Sequence, residues 1–217
     1  MCTHFRPSSA AQILDRFGLA VPAQHFKTDV YPGYLAPIVR LDGDRSRQEC
    51  VGANFGLIPP WARDNTIGRK TYNARSETVA EKPSYRAAWK RRQFCLVPMQ
   101  GFFEPNYESG RAVSWCIARR DQADFAVAGI WERWVQSGGE PVLSFSLLTI
   151  NADGHPLMGR FHKPGDEKRS LVVVSPDQYE AWLESDTEVA RSFFGLDALK
   201  DFDGAPASSG PYTPSLI

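Results

Sequence analysis

The chain is predicted to fold as a single α+β domain, a mainly antiparallel, barrel-like β core with flanking short helices. Three observations carry that prediction. Six stretches, 50–58, 94–103, 113–117, 125–135, 142–150 and 169–174, are apolar or alternate apolar with polar residues in the manner of strands. The helical signals between them are short. The 217 residues contain no internal repeat and no clear linker, and that length is enough for one domain with a real core.

The elements follow in order. Ser8 and Ser9 can cap a short helix in which Ile13, Leu14 and Phe17 share a face, and Gly18 supplies the stop. From there to Asp42 the chain reads as extended, punctuated by Pro22, Pro32 and Pro37. The strand at 50–58 ends at Pro59-Pro60-Trp61, and the polar stretch 62–82 reads as a long loop. Ser84 is a candidate cap for a helix reaching Arg92, with Tyr85 and Trp89 one turn apart. Val113, Trp115 and Ile117 alternate with polar residues and mark a half-buried strand. Ser175-Pro176-Asp177 starts a helix, with Ser175 as cap and Pro176 at the first helical position; Tyr179, Trp182 and Leu183 form its buried face. A second short helix at 188–194 ends at Gly195. The domain is assigned to 2–195 and a C-terminal tail to 196–217, rich in Gly, Pro and Ser after Asp201 and expected to be mobile or draped over the surface.

Composition narrows the function. The 25 basic and 25 acidic side chains cancel, which argues against a protein held on nucleic acid by bulk charge while leaving room for a local basic groove. No apolar run reaches the roughly 18 residues of a membrane span, and MCTHFRPSSAAQ lacks the apolar core of a secretory signal, so a cytoplasmic protein is expected. Cysteines at 2, 50, 95 and 116 form neither a CxxC pair nor a zinc pattern, so reduced thiols, no metal and no cofactor are expected.

Cys2 is the most informative residue. Methionine aminopeptidase is expected to remove Met1 before so small a side chain. The new terminus would carry an α-amine and a thiol on one residue, with ordinary pKa values of about 8 and about 8.5, a 1,2-aminothiol that no internal cysteine provides. An aldehyde condenses with such a pair to an imine, which the thiolate closes to a thiazolidine ring. The same residue could instead serve as an N-terminal nucleophile, with the amine as base for the thiol.

Three further segments place polar residues where a plain core would not want them. Asn73-Ala74-Arg75-Ser76-Glu77-Thr78 combines amide, guanidinium and hydroxyl groups suited to phosphate or a polar substrate; alternatively it caps a surface loop. Glu104 ends an apolar strand, where partial burial would make it a general acid, or it faces water. His162, between Phe161 and Lys163, can shuttle a proton or serve as a structural histidine.

Read together, Cys2, GLIPPW (56–61), NARSET (73–78), CLVPMQGFFEP (95–105), AGIWERW (128–134), the Thr149 segment and His162 resemble the SRAP family, the abasic-site processing family also called SOS response-associated peptidase. The resemblance spans roughly 2–183. It implies the SRAP fold and covalent capture of abasic sites in single-stranded DNA, with nucleoid association when bound. Cys2 would form the thiazolidine. Asn73 would hold the N-terminal residue or the sugar, Glu104 would act as general acid/base, and His162 would protonate or hold the opened sugar hydroxyl. Arg75 would contact a phosphate beside the lesion.

The chain departs from the family pattern in three places. Common members begin Cys-Gly-Arg where this chain has Cys2-Thr3-His4, so His4 stands at the place of a phosphate-contacting arginine. Pro105 replaces the usual Trp after the glutamate, and the His-x-Arg-Met-Pro run becomes His162-Lys163-Pro164, with Lys163 and Arg169 both candidates for the missing cation. A DNA track is expected from Arg69, Lys70 and Arg75, with Lys90, Arg91 and Arg92 nearby and Trp61 as a stacking wedge. A monomer is expected. Two competing functions remain: a cysteine peptidase acting on Met1 or a protein substrate, and a non-covalent reader of single-stranded or damaged DNA.

Overall fold

Residues 2–136 and 139–207 are described in the computed structural model. The strands are β1 (His4–Pro7), β2 (Leu35–Leu41), β3 (Gln48–Phe55), β4 (Asn73–Arg75), β5 (Phe94–Asn106), β6 (Val113–Arg119), β7 (Phe125–Val135), β8 (Pro141–Asn151), β9 (Arg169–Leu171), β10 (Val173–Val174) and β11 (Phe202–Pro206). Three short α-helices, α1 (Ala10–Phe17), α2 (Arg86–Lys90) and α3 (Tyr179–Glu184), lie outside them.

Five strands close on themselves. Around the ring β7 pairs with β8, β8 with β3, β3 with β2, β2 with β5, and β5 returns to β7. Closure leaves the core strands without exposed edges. The β3–β8 and β4–β8 pairings are parallel, and the remaining ladders are antiparallel. The predicted α+β, barrel-like architecture is therefore the observed one.

β5 shows how the sequence makes a wall with two buried faces. Cys95, Val97 and Met99 point into the barrel with Phe5, Phe55, Phe102 and Phe145. Phe94 and Leu96 point outward and are covered by Trp89 of α2 and by Tyr179 and Trp182 of α3. Period-two alternation gives both sets. Trp182 is fully buried, and its indole N–H donates to the Cys95 carbonyl at 2.9 Å. Truncating such a core Trp costs about 3–5 kcal/mol.

Local signals differ in how well they hold. Ser9 caps α1 in a full capping box with Gln12, and Gly18 ends it at φ 67°. Ser84 caps nothing: Tyr85 precedes α2 and makes no side-chain cap. Ser175 likewise makes no cap bond; Pro176 starts a short 3-10 turn that runs into α3. The stretch 62–82 is not wholly loop, for it holds a 3-10 helix (Asn65–Lys70) and β4. The segment expected at 188–194 is a 3-10 helix, Val189–Phe193.

The tail boundary also moves. Leu199 and Phe202 are buried in the main core, and Phe202 packs edge-on against Phe125 at 4.7 Å. They anchor β11 along β6, so the sheet continues to Pro206 rather than ending before 196. The rest of the tail, 208–217, lies outside the described residues.

Candidate functional site

The N-terminal segment is carried by β1, which lies antiparallel to β5 with His4 opposite Phe103 and Phe5 opposite Phe102. Phe5 is fully buried, while His4 and Arg6 face the other side. Cys2 is fully buried in the barrel cluster, and its thiol donates to the His4 carbonyl at 3.3 Å.

β4 brings Asn73 to the same place. The strand runs parallel to β8, with Asn73 opposite Leu147, and the Tyr85 hydroxyl donates to the Asn73 carbonyl at 2.9 Å. The Asn73 side-chain Nδ2 donates to the Cys2 carbonyl at 2.7 Å. Its Oδ1 is buried and has no hydrogen-bond partner among the described residues.

Glu104 follows from the alternation of β5: it continues the inward face of Phe102 toward the strand's end and is only 3% exposed. Its charge is felt at the Cys2 thiol. Burial pushes the Cys2 thiol far above the ordinary range, the Glu104 charge pushes it in the same direction, and hydrogen bonding to the backbone of His4 and Phe103 opposes both.

His162 is fixed by the backbone. Its N–H donates to the Pro105 carbonyl at 2.8 Å, and Asn106 bridges to Phe161. The residue adopts φ 65°, a left-handed conformation that histidine visits more readily than most side chains. Its Nε2 stands 3.1 Å from Glu104 Oε2, and neither ring nitrogen has a hydrogen-bond partner among the described residues. A donor amide and a carboxylate thus act on the buried Cys2, and an imidazole faces the carboxylate. Such a set can hold a carbonyl compound and move protons to and from it.

The remaining sequence-predicted residues divide. Arg75 is half exposed and pairs with Glu167 at 2.9 Å. Arg169 is buried and grips Glu77 at 2.8 Å, Glu167 at 2.6 Å and the Thr149 carbonyl at 2.7 Å, so it ties the NARSET loop to the loop after His162. Lys163 is the exposed cation of that pair. Arg69 and Lys70 are exposed on the 3-10 helix between β3 and β4. Trp61 is 57% exposed, its indole N–H on the Pro83 carbonyl at 3.2 Å. Arg91 pairs with the buried Glu132, and Arg92 donates to the Glu184 and Ser185 carbonyls, so both anchor structure.

His4 is placed unlike a free phosphate-contacting cation. Its ring is stacked between Phe103 at 3.8 Å and Tyr31 at 4.4 Å, and its Nε2 contacts Asp29 at 2.8 Å. Sequence reading missed Asp29 and Tyr31 because they lie 25 and 27 positions away, with no local pattern linking them to His4. Among the described residues, no group of three or more His, Cys, Asp or Glu side chains could hold a metal, and no helix is long and apolar enough to cross a membrane.

Known proteins share this chain's sequence pattern and fold. Residues 1–206 match the family described as SOS response associated peptidase (SRAP). The chain is 32% identical over 190 residues to the abasic site processing protein YoaM of Bacillus subtilis, covering 84% of this chain and 79% of the relative. It is 26% identical over 168 residues to the abasic site processing protein HMCES of Gallus gallus, covering 67% and 48%. A crystal structure from Bordetella bronchiseptica superposes with a TM-score of 0.87 at 30% identity, covering 95% of this chain and all of that one. Another from Bacteroides thetaiotaomicron gives 0.81 at 26% identity, covering 96% and 93%.

Proposed function

The chain belongs to the SOS response associated peptidase (SRAP) family, whose relatives include abasic site processing proteins, and on that premise we propose that it captures abasic sites in single-stranded DNA through a covalent thiazolidine at Cys2. One observation carries the proposal: the Cys2 carbonyl is held by Asn73, and its thiol lies within the field of Glu104, which faces His162.

The chemistry follows from an aldehyde and a processed N-terminus. The ring-opened abasic sugar is an aldehyde. The α-amine freed by loss of Met1 adds to its C1′, and the carbinolamine loses water to give an imine. The Cys2 sulfur then adds to the imine carbon while the thiol proton passes to nitrogen. One water leaves overall, with no oxidant or reductant needed. Burial keeps the thiol protonated, which makes the amine the first nucleophile and gives Glu104 the task of relaying the thiol proton. His162 would hold or protonate the sugar hydroxyl as the ring opens. Arg75 and Lys163, with Arg69 and Lys70, supply exposed cations for neighbouring phosphates, and Trp61 supplies an aromatic face.

The test is intact-mass and denaturing-gel analysis after mixing the protein with single-stranded DNA bearing one abasic site. The expected adduct has the summed mass less one water. It is absent from Cys2→Ala and from protein retaining Met1. An equally stable adduct in Cys2→Ser overturns the thiazolidine, because the corresponding oxazolidine is far less stable. Wild-type protein that binds the DNA without forming an adduct leaves the non-covalent reading in its place.

A further inference from the structure

His4 begins a ladder of aromatic groups that leads from the candidate site to the surface. Phe103, whose backbone contacts the Cys2 thiol, stacks on one face of the His4 ring at 3.8 Å and 7°. Tyr31 stacks on the other face at 4.4 Å and 16°. Tyr34 then meets Tyr31 edge-on, with centroids 5.8 Å apart and planes at 77°. His4 covers one face of Tyr31, so the 43% of Tyr31 that is exposed lies on its remaining face and edge. Tyr34 is 44% exposed. Large exposed aromatic side chains are otherwise represented in the described structure by Trp61 alone.

The two tyrosines are held at the corners of one turn, Tyr31-Pro32-Gly33-Tyr34. The Tyr34 N–H donates to the Tyr31 carbonyl at 2.9 Å. Proline at the second position and glycine at φ 92° in the third are the requirements of a type II turn. The Gly33 N–H donates to Phe55 and the Phe55 N–H to Tyr34, which fastens the turn to the end of β3. Asp29 holds His4 in the ladder at 2.8 Å. From Gly33 of the turn, a cleft of about 250 Å3 runs past Asn54, Asn65 and Thr66 to Arg69, which sets a cation on its wall.

An L-shaped pair of aromatic rings, with a cation on the wall of the cleft that starts at their turn, suits one kind of occupant. A nucleobase stacks on one ring with its edge against the other, and its phosphate meets the guanidinium. We propose that this turn is a base-stacking platform that holds a nucleobase next to the sugar bound at Cys2. The proposal rests on the single-stranded DNA reading above. It gives His4 a positioning role, as the spacer that joins the platform to Phe103 and the site, in place of a direct phosphate contact.

The experiment uses single-stranded DNA carrying a tetrahydrofuran abasic analogue, which has no aldehyde, flanked by 2-aminopurine on either side in turn. Binding to wild type should change 2-aminopurine fluorescence at one flank. Tyr31→Phe and Tyr34→Phe should keep that change. The double variant Tyr31→Leu/Tyr34→Leu should abolish it and bind at least about fivefold more weakly, the lower end expected for removal of one stacked base. Thermal unfolding checks that each variant is folded. Tyr34→Leu alone serves if Tyr31→Leu is not, since Tyr31 is the ring that Tyr34 contacts. A folded double variant with wild-type affinity and fluorescence overturns the platform. Absence of a covalent adduct on aldehydic DNA, with the fluorescence change intact, overturns the capture reading and supports the platform.

Discussion

Truncating Asn73 to alanine isolates the interaction that holds the Cys2 carbonyl. The strand that carries it survives the change, because the Tyr85 hydroxyl binds the Asn73 backbone carbonyl and Ala74 remains buried in its own cluster. The change removes the 2.7 Å bond from Nδ2 to the Cys2 carbonyl. That carbonyl belongs to a residue with no exposed surface, so it is left without a partner away from water. An unsatisfied buried group costs about 1–3 kcal/mol. If that cost falls on the docked N-terminus, the competent fraction drops by about fivefold to about 150-fold. Asn73→Asp should be at least as damaging, since a second acceptor then faces the carbonyl. The assay is a single-turnover time course of adduct formation at saturating abasic DNA, followed on denaturing gels, with melting temperature measured in parallel. A wild-type rate constant in folded Asn73→Ala refutes the reasoning, for it would mean that the bond to Cys2 does not set the geometry of attack.

Three other outcomes follow from the same network of side chains. Glu104→Gln removes the charge that raises the Cys2 thiol, so thiol alkylation should shift to lower pH while adduct formation slows and DNA affinity is kept; loss of binding instead would give Glu104 a structural role. Arg169→Met removes a buried guanidinium from Glu77, Glu167 and Thr149 and should lower the melting temperature by about 2–12 °C, taking about 1–3 kcal/mol for the unpaired groups. Burial raises Glu77, yet its hydrogen bond with Arg169 leaves it below the usual 4.5, and the bond with Arg169 holds Glu167 below 4.5 as well. Their stabilisation is therefore present above the unfolded value and lost as pH falls through the lowered folded values, and this acid dependence should flatten in Arg169→Met melting curves. Arg69→Ala with Lys70→Ala should reduce the slope of log affinity against log salt by about 0.7 for each phosphate that is no longer neutralised, as read by anisotropy titrations.

The parts legible in the sequence are those written in local chemistry. The Ser9 cap and Gly18 stop delimit α1 because capping involves only near neighbours. The apolar run beginning at Phe94 declares β5 because both of its faces are buried. Glu104 stands out because it interrupts that run. The ring closure of β5 onto β7 and the parallel docking of β3 on β8 have no local signature, since they are pairings between distant segments. β4 is hidden by its three-residue length, and β11 by a Gly- and Pro-rich context in which Phe202 is the principal anchor. Within the site, the four central residues are visible as polar interruptions and by family resemblance. The partnership of His4 with Asp29 and Tyr31 is not, because stacking across 27 positions leaves no periodic trace.

The pairing of β1 with β5 also sets a clock on the ribosome. Phe5 lies opposite Phe102, so 102 − 5 = 97 further residues must be translated before β1 finds its place. At synthesis rates of about 5–20 residues per second, that takes roughly 5–20 s. Before β1 docks, Cys2 is not yet covered by β5; in the folded chain it has no exposed surface at all. On the proposed chemistry, release of Met1 therefore belongs to the interval before β1 docks on β5.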